Sequence, residues 1–268
     1  MNYDEMKEYG RYFVKTAELD GDVKSDQMLK LKQPPLVKAR MSDKSIKLSL
    51  DFSELDIKND FLEIINSRKT SRVYTQEGMT LLQLSYLLWC TQGTKGVRGK
   101  SYATLRTVPS AGARHPFETY LAITRVEGLE EGLYHYLPMT HELEYLGELD
   151  DYIGFVNKST FGQKWACKAD VMFYYSFVCY RGEWRYGISS HRVALMDIGY
   201  VSENLYLACA SIGLGTCAIG GVDPICDEVF KLDGKEEFMF ICQSVGTIKA
   251  QDEYKEREFY KFVIEEGL

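Results

Sequence analysis

The segment VALMDIGYVSENLYLACASIGLG, residues 193–215, constrains the fold of this chain more than any other. It is apolar on nearly every face of a helix, and its polar positions Asp197, Asn204 and Ser211 repeat every seven residues, which places them in one narrow line. Side chains such as Asp197, Glu203 and Asn204 are costly at the depth of a bilayer, so we interpret the segment as a buried helix and not as a membrane span. Such a helix needs cover on several sides, either in the centre of a core or at a subunit interface.

The bulk composition is that of a soluble globular protein without a large basic surface. Of the 268 residues, 45% are hydrophobic and 26% are charged, and the length suits one large domain or two small ones. The net charge of −7 and the pI near 5.3 argue against nucleic acid as the main partner, because neutralising many phosphates needs a basic face. The N-terminal sequence has neither signal-peptide nor transit-peptide character, which predicts a cytoplasmic protein that does not enter a membrane.

The cysteines and histidines indicate a reduced protein without a metal centre. The seven cysteines are an odd number, form no CxxC pair and lie mostly in apolar runs, where a free thiol behaves as a small hydrophobe. The four histidines are too scattered to complete a zinc site with them. We therefore expect neither disulfides nor a bound metal.

Alternating and apolar segments predict an α+β fold, with helices packed around a mixed or antiparallel sheet. Thr80 and Gln83 have the capping-box spacing at the start of a helix that Gly93 ends. The continuously apolar segment 169–180 predicts a central strand, whereas 94–106 suggests a mobile loop. The expected strands are 119–125, 132–138, 141–148, 169–180 and 237–247.

The chain divides at about residue 58 into two unequal parts. Residues 1–58 are polar and weakly periodic, and Pro34-Pro35 excludes a helix around that position, so we expect an extended N-terminal arm. Residues 59–268 are predicted to form the compact domain. It ends in a C-terminal extension, from about 250 to 268, whose apolar positions need a partner surface.

The stretch SRKTSRVY, residues 67–74, concentrates positive charge in an acidic chain. Three cations lie within five residues and are interleaved with two hydroxyls. One interpretation is a solvated turn before a helix. The other is a site for a dianion, in which cations supply the field and hydroxyls supply directed hydrogen bonds. From these residues alone both remain open.

Two further segments combine small and rigid residues. The run GLGTCAIGGVDP has the letters of a dinucleotide-binding fingerprint, but a helix precedes it where the fingerprint needs a strand. We interpret it instead as a glycine-dense turn whose backbone can approach a ligand closely. The run PSAGARHP, residues 109–116, is a second place where the backbone can approach a ligand, or simply a loop.

Taken in order, RKTSR, PSAGARHP and GLGTCAIGG resemble the FMN-dependent nitroreductase superfamily. The intervening WRYGISSHRVALMDIGYVSENLYLACASIGLG is similar to its SagB-type branch, which includes the azoline dehydrogenases of peptide thiazole and oxazole biosynthesis. The resemblance covers about Phe61 to Thr247. It implies a nitroreductase-like FMN-binding domain with a long central helix.

The resemblance also implies a role for each matching segment. The residues that would hold the FMN phosphate and ribityl chain are Arg68, Lys69, Thr70 and Arg72. The residues that would line the flavin, in this family often from the second subunit, are Pro109, Ser110, Ala111, Gly112, Ala113 and His115. The turn that would meet the isoalloxazine ring comprises Ile219, Gly220 and Gly221, and Gln163 would lie beside the pyrimidine edge.

The implied chemistry is a ping-pong cycle in which FMN takes a hydride at N5 from NAD(P)H and gives it to an electron-poor small-molecule acceptor. The azoline dehydrogenases carry a Lys-Tyr pair for proton transfer, and the matching positions here are Arg185 and Tyr186. Arg185 stays protonated and cannot act as a general base, whereas Tyr186 can still donate a proton. The pair is either catalytic, with Arg185 binding a substrate anion, or part of a surface turn between a strand and a helix.

Two functions therefore remain. The first is a free-standing FMN-dependent oxidoreductase that uses NAD(P)H. The alternative is a non-turnover or azoline-dehydrogenase-like subunit of a peptide-modifying complex. In either case we expect a homodimer with flavin sites at the interface, because the family places them there and the long apolar helix needs cover.

Overall fold

The computed structural model describes residues 2–15, 23–100, 102–249, 265 and 267. The expected C-terminal extension from about 250 lies outside the described residues except at positions 265 and 267. The helices are α1 (Tyr3–Lys15), α2 (Phe61–Ser67), α3 (Leu81–Gln92), α4 (Tyr152–Ser159), α5 (Cys179–Tyr186), α6 (Ser189–Ser211) and α7 (Ile225–Val229). The strands are β1 (Ser45–Lys47), β2 (Thr94–Arg98), β3 (Ala103–Arg106), β4 (Phe117–Ile123), β5 (Gly132–Leu137), β6 (Glu142–Gly147), β7 (Val171–Val178), β8 (Leu214–Ile219) and β9 (Glu237–Thr247). Short 3-10 turns lie at Ala111–Ala113 and Ala166–Lys168.

A seven-stranded sheet in the order β1-β6-β5-β4-β7-β9-β8 forms the centre of the described part of the chain. Its neighbouring strands all pair antiparallel. Helices α3 and α6 contribute to the hydrophobic core on one face, and α4 and α7 to the core on the other. The expected α+β fold, with helices around the sheet, is confirmed.

Strand β7 is apolar except at Ser176 because both of its faces are covered. Phe173 and Tyr175 belong to the core shared with α3 and α6, while Met172 and Tyr174 belong to the core shared with α4 and α7. Since successive side chains of a strand point to opposite faces, a strand covered on both sides shows no polar alternation. The predicted central position is confirmed, but the strand ends at Val178 and a helix follows directly.

Helix α6 has a buried face and an uncovered apolar face. Ala194 and Leu205 lie in the core against the sheet. Leu195, Met196 and Tyr200 remain 46%, 48% and 45% exposed. The helix is therefore a core helix that also presents an apolar surface. Within the described ranges, none of the helices combines the length and apolarity that a bilayer crossing requires.

Helix α3 begins with the predicted capping box. The Thr80 side chain accepts a hydrogen bond from the Gln83 N–H, and the Gln83 side chain accepts one from the Thr80 N–H. The prediction of a loop after this helix is wrong, because Thr94–Arg98 and Ala103–Arg106 pair antiparallel as strands β2 and β3. A Cβ at Gly93 would lie 2.3 Å from the Trp89 ring, so glycine is required there for packing at the helix end.

The segment after α6 is likewise not the glycine-dense turn that the sequence suggested. Gly213, with φ of +74°, forms the turn, and the next six residues, Leu214 to Ile219, are strand β8, paired with β9. A Cβ at Gly215 would lie 2.7 Å from the Ser71 Cβ. Glycine at 215 thus permits another segment to lie close to the strand, which is a different use of glycine from a turn.

Buried carboxylates hold the N-terminal arm on the sheet. The Lys38 N–H donates to Glu118 at 2.9 Å, and the N–H groups of Met41 and Ser42 donate to Glu144 at 2.7 and 2.8 Å. Strand β1 then extends the sheet beside β6. Helix α1, which has no buried residue, was not predicted, and the domain boundary near 59 stays a prediction.

Candidate functional site

The basic segment 68–72 runs along the outer edge of strand β8. Helix α2 is capped by Asp60, whose carboxylate accepts from the Glu63 N–H, and it ends before Arg68. The chain then becomes extended, and the Ser71 N–H donates to the Thr216 carbonyl at 2.9 Å. This pairing fixes the backbone that carries the cations.

The two arginines of this segment pack on aromatic rings. The Arg68 guanidinium lies 5.4 Å from the centre of the Tyr206 ring, and the Arg72 guanidinium lies 5.6 Å from that of Trp165. Within the described residues neither arginine forms an ion pair. The Thr70 and Tyr206 hydroxyls are 3.4 Å apart, and the Tyr206 hydroxyl also accepts the Ala218 N–H at 2.9 Å. Positive charge, a hydroxyl and the end of β8 therefore meet at one place.

The predicted residues Ile219, Gly220, Gly221 and Gln163 lie beside this basic segment. Ile219 ends β8 and is buried. A Cβ at Gly220 would have open space around it, and one at Gly221 would lie 3.9 Å from the Phe161 ring. Gln163 is half-buried in the turn that joins Phe161 to Trp165. Since Trp165 packs on Arg72, this turn lies against one side of the basic segment 68–72.

The loop PSAGA is fixed by the middle of α6. The Ser110 hydroxyl donates to the Asp197 carboxylate at 2.6 Å, and the Ala111 N–H donates to it at 3.0 Å. Gly112 and Ala113 follow with φ of +55° and +53°, while Pro109 is exposed. Sequence reasoning saw Asp197 only as an interruption of an apolar helix and missed its role in holding this loop.

Arg185 and Tyr186 lie against this loop on helix α5, not in the surface turn that was one of the interpretations. A Cβ at Gly112 would lie 2.6 Å from both Arg185 Nε and the Tyr186 hydroxyl oxygen. The Arg185 Nε donates to the Tyr186 hydroxyl at 3.2 Å, and its Nη1 donates to the Tyr102 hydroxyl. Tyr102, which sequence reasoning missed, thereby joins the group.

His115 lies beneath the loop and has only 4% of its surface exposed. Its N–H donates to the Ser110 hydroxyl at 2.9 Å, and its carbonyl accepts from Arg181 at 3.0 Å. Burial, together with Arg106 and Arg181, lowers the pKa of His115 to about 2. The imidazole is therefore neutral and supports the loop from inside.

The structure thus forms two groups of candidate residues that contact opposite faces of α6. The basic group comprises residues 68–72 and the end of β8, and the PSAGA group comprises the loop 109–113 with Arg185 and Tyr186. The basic group contacts the helix at Tyr206, and the PSAGA group contacts it at Asp197, nine residues earlier. At about 100° and 1.5 Å per residue, these positions point about 180° apart around the helix axis and lie about 13 Å apart along it. Within one chain the two groups therefore contact different faces of this helix.

Comparisons with known proteins identify the family. The Nitroreductase family model matches residues 65–247. A Methanocaldococcus jannaschii protein named as a nitroreductase, MJ1384, is 31% identical over 186 residues, which are 69% of this chain and 89% of that protein. A crystal structure described as a nitroreductase, from Ralstonia eutropha, superposes with a TM-score of 0.63 at 25% identity and covers 82% of this chain and 96% of its own.

A further relative is named as a microcin-processing protein. The Microcin B17-processing protein McbC of Escherichia coli is 26% identical over 148 residues, which are 53% of this chain and 54% of that protein. This match confirms the resemblance to the peptide-processing branch that the sequence suggested. From the family match over residues 65–247 and the agreement in fold, the chain belongs to the nitroreductase family.

Proposed function

We propose that this protein is an FMN-dependent oxidoreductase that transfers hydride from NAD(P)H to an electron-poor small-molecule acceptor in a ping-pong cycle. The observation that carries the proposal is the basic group. Arg68 and Arg72 form no ion pair among the described residues, yet they lie beside the Thr70 hydroxyl at the end of β8. Unneutralised cations beside a hydroxyl suit a phosphate dianion, with which they form charge-assisted hydrogen bonds.

The residues present fit FMN at both of its ends. Arg68, Thr70 and Arg72, with the neighbouring Lys69, suit the phosphate and ribityl chain. Gly220 offers open space where a flat ring can approach the backbone. When bound, the coenzyme supplies the hydride chemistry, and the protein supplies position, charge and access.

The PSAGA group supplies the other side of the proposed site. The Asp197 carboxylate orients the loop through Ser110 and Ala111, which presents Gly112 and the neighbouring Arg185–Tyr186 pair. Arg185 remains protonated and attracts electron-rich groups of an acceptor. The Tyr186 hydroxyl, which accepts a hydrogen bond from Arg185, can offer its own hydrogen bond to an acceptor bound there.

A homodimer would bring the two groups together. Because they meet opposite faces of α6 in one chain, a second copy that contributes its PSAGA loop resolves their separation. The exposed apolar side chains Leu195, Met196 and Tyr200 on the same helix support this arrangement, since burial of apolar area drives association. We place the protein in the reducing cytoplasm, which the seven unpaired cysteines support.

The similarity to McbC favours a second candidate, an azoline-dehydrogenase-like or non-turnover subunit of a peptide-modifying complex. Arg185 separates the two candidates, because a protonated guanidinium does not serve as the base that a lysine can become.

Anaerobic addition of NADH or NADPH to the purified, FMN-loaded protein tests the proposal. Loss of the visible flavin absorbance, followed by its return on addition of a nitroaromatic or quinone acceptor, is the expected result. A yellow protein whose absorbance neither nicotinamide changes would favour the non-turnover subunit. Protein that binds no FMN even after reconstitution would contradict both candidates.

A further inference from the structure

The Tyr102 hydroxyl lies where the N-terminal arm meets helix α5. The Gln27 Nε2 donates to its oxygen at 2.9 Å, and the Arg185 Nη1 donates to the same oxygen. A phenol oxygen has two lone pairs, so these two donors occupy its acceptor capacity. The phenol proton is left to donate to a further acceptor.

The N-terminal arm is hydrogen-bonded to helix α5 on both sides of Gln27. The Asp26 carboxylate accepts from the Tyr180 hydroxyl at 2.8 Å, and the Leu31 carbonyl accepts from the Trp184 indole at 3.1 Å. The Gln27 N–H itself donates to the Trp184 carbonyl at 2.8 Å. The side chain that holds Tyr102 is therefore fixed by the arm backbone and not by chance contact.

The charged groups that face Tyr102 are cationic. The Arg114 guanidinium lies 5.2 Å from the centre of the Tyr102 ring, and Arg185 contacts the hydroxyl. The hydrogen bond from Gln27, followed by the charges of Arg185 and Arg114, lowers the pKa of Tyr102 from its ordinary value against the effect of burial. Arg185 also donates to Tyr186, so one guanidinium contacts two phenol oxygens, of which that of Tyr186 lies beside Gly112.

We propose that Tyr102 donates the proton that completes reduction of the acceptor, and that Gln27 of the N-terminal arm positions it. This role rests on the proposed function. A hydride, with its two electrons, adds to one atom of the acceptor's polarised double bond, and the bonding pair moves to the other atom. That atom takes the proton as the Tyr102 O–H bond breaks. The phenolate, stabilised by Arg185 and Gln27, recovers a proton from water.

The proposal defines the substrate class. The acceptor presents an oxygen or nitrogen lone pair toward Tyr102, as a nitro group or a quinone carbonyl does. Arg185, which contacts both phenols, stabilises the negative charge that develops on that atom. The arm is then part of the active site, which gives residues 1–58 a role in turnover.

An ultraviolet difference titration of the coenzyme-free protein tests the environment of Tyr102 without turnover. The chain has 19 tyrosines, and subtracting the Tyr102→Phe spectrum from the wild-type spectrum isolates one of them. We expect that phenol to ionise below the ordinary value of about 10, and Gln27→Ala to raise its midpoint. Tyr145→Phe on β6 is the control, since burial raises the pKa of Tyr145. A Tyr102 midpoint at or above 10 in the wild type would overturn the proposal.

Turnover of the loaded enzyme tests the proton donor directly. Tyr102→Phe should lower kcat for acceptor reduction by about 100-fold and remove the loss of activity at alkaline pH that deprotonation of Tyr102 causes in the wild type. Gln27→Ala should cause a smaller loss and move that alkaline limb upward. A Tyr102→Phe enzyme with the wild-type kcat and pH profile would overturn the role of Tyr102. A wild-type protein that never oxidises NAD(P)H would overturn the proposed function instead, and with it any role of Tyr102 in turnover.

Discussion

Asp197 accepts hydrogen bonds from the Ser110 hydroxyl at 2.6 Å and the Ala111 N–H at 3.0 Å, so the middle of α6 fixes the loop that carries Gly112. Burial raises the pKa of the Asp197 carboxyl, and the two hydrogen bonds partly offset this effect. A polar residue on an otherwise apolar helix thus connects the core to the proposed active site.

Replacing Asp197 should destabilise the protein as well as the loop. Asp197→Ala leaves the Ser110 and Ala111 donors without their acceptor, which should lower the free energy of unfolding by about 1–3 kcal/mol. Urea denaturation at neutral pH measures this change. Glu203→Ala, on an exposed position of the same helix, is the matched control and should change stability by less than about 0.5 kcal/mol. Equal losses in the two variants would contradict the role of Asp197.

The parts of the fold that the sequence predicted are those with a local signal. Thr80 and Gln83 specify a capping box within four residues. The apolar run in β7 indicates that both faces of this strand are buried. The hairpin β2–β3 and strand β8 were missed because their glycines were taken as signs of loops. Gly215 is instead required where the side chain of Ser71 comes close.

The candidate site was predictable only where residues share a segment. The family resemblance named Arg68, Gly112 and Arg185, but no pattern in one sequence connects Tyr102 with Gln27, which are 75 positions apart. Such contacts depend on how the arm crosses helix α5. Helix geometry alone places Asp197 and Tyr206 on opposite faces of α6. The functional interpretation of this placement also required the hydrogen-bond partners of each residue, which only the structure gives.

The buried His115 should make stability depend on pH. Its pKa of about 2 in the folded protein lies far below the ordinary value of 6.5, so below pH 6.5 the unfolded chain binds a proton that the folded chain does not. Stability should therefore fall on acidification by about 1.4 kcal/mol per pH unit from this residue.

His115→Gln should remove this contribution. Urea denaturation at intervals between pH 8 and pH 4 should give parallel curves for wild type and variant above pH 6.5, and a shallower acid decline for the variant below it. Parallel decline in both proteins would show that His115 is not buried as a neutral imidazole. Unchanged FMN affinity in the variant at neutral pH would support a role inside the loop, not against the flavin.

The arginines of the basic group should govern coenzyme retention. Arg68→Ala and Arg72→Ala each remove a cation facing the proposed phosphate, and each should raise the Kd for FMN by about 10- to 100-fold. Riboflavin, which lacks the phosphate, should bind the wild type and both variants with similar affinity. Lys231→Ala, an exposed cation in the turn before β9, is the control for net charge. Retained FMN affinity in both arginine variants would remove phosphate binding from this segment.

The exposed face of α6 should control both assembly and coenzyme binding. Placing a charge in the proposed apolar interface, as Met196→Glu does, should convert the proposed dimer to monomers in light scattering and lower FMN occupancy, because the Asp197 face and the Tyr206 face of one helix point in opposite directions. Ile153→Glu, at a 67% exposed position on α4, is the control and should remain dimeric. If Met196→Glu were monomeric yet fully loaded with FMN, the two groups would not need to come from different chains. The basic segment would then hold the coenzyme without the partner's PSAGA loop, and the Arg185–Tyr186 pair would lie outside the site.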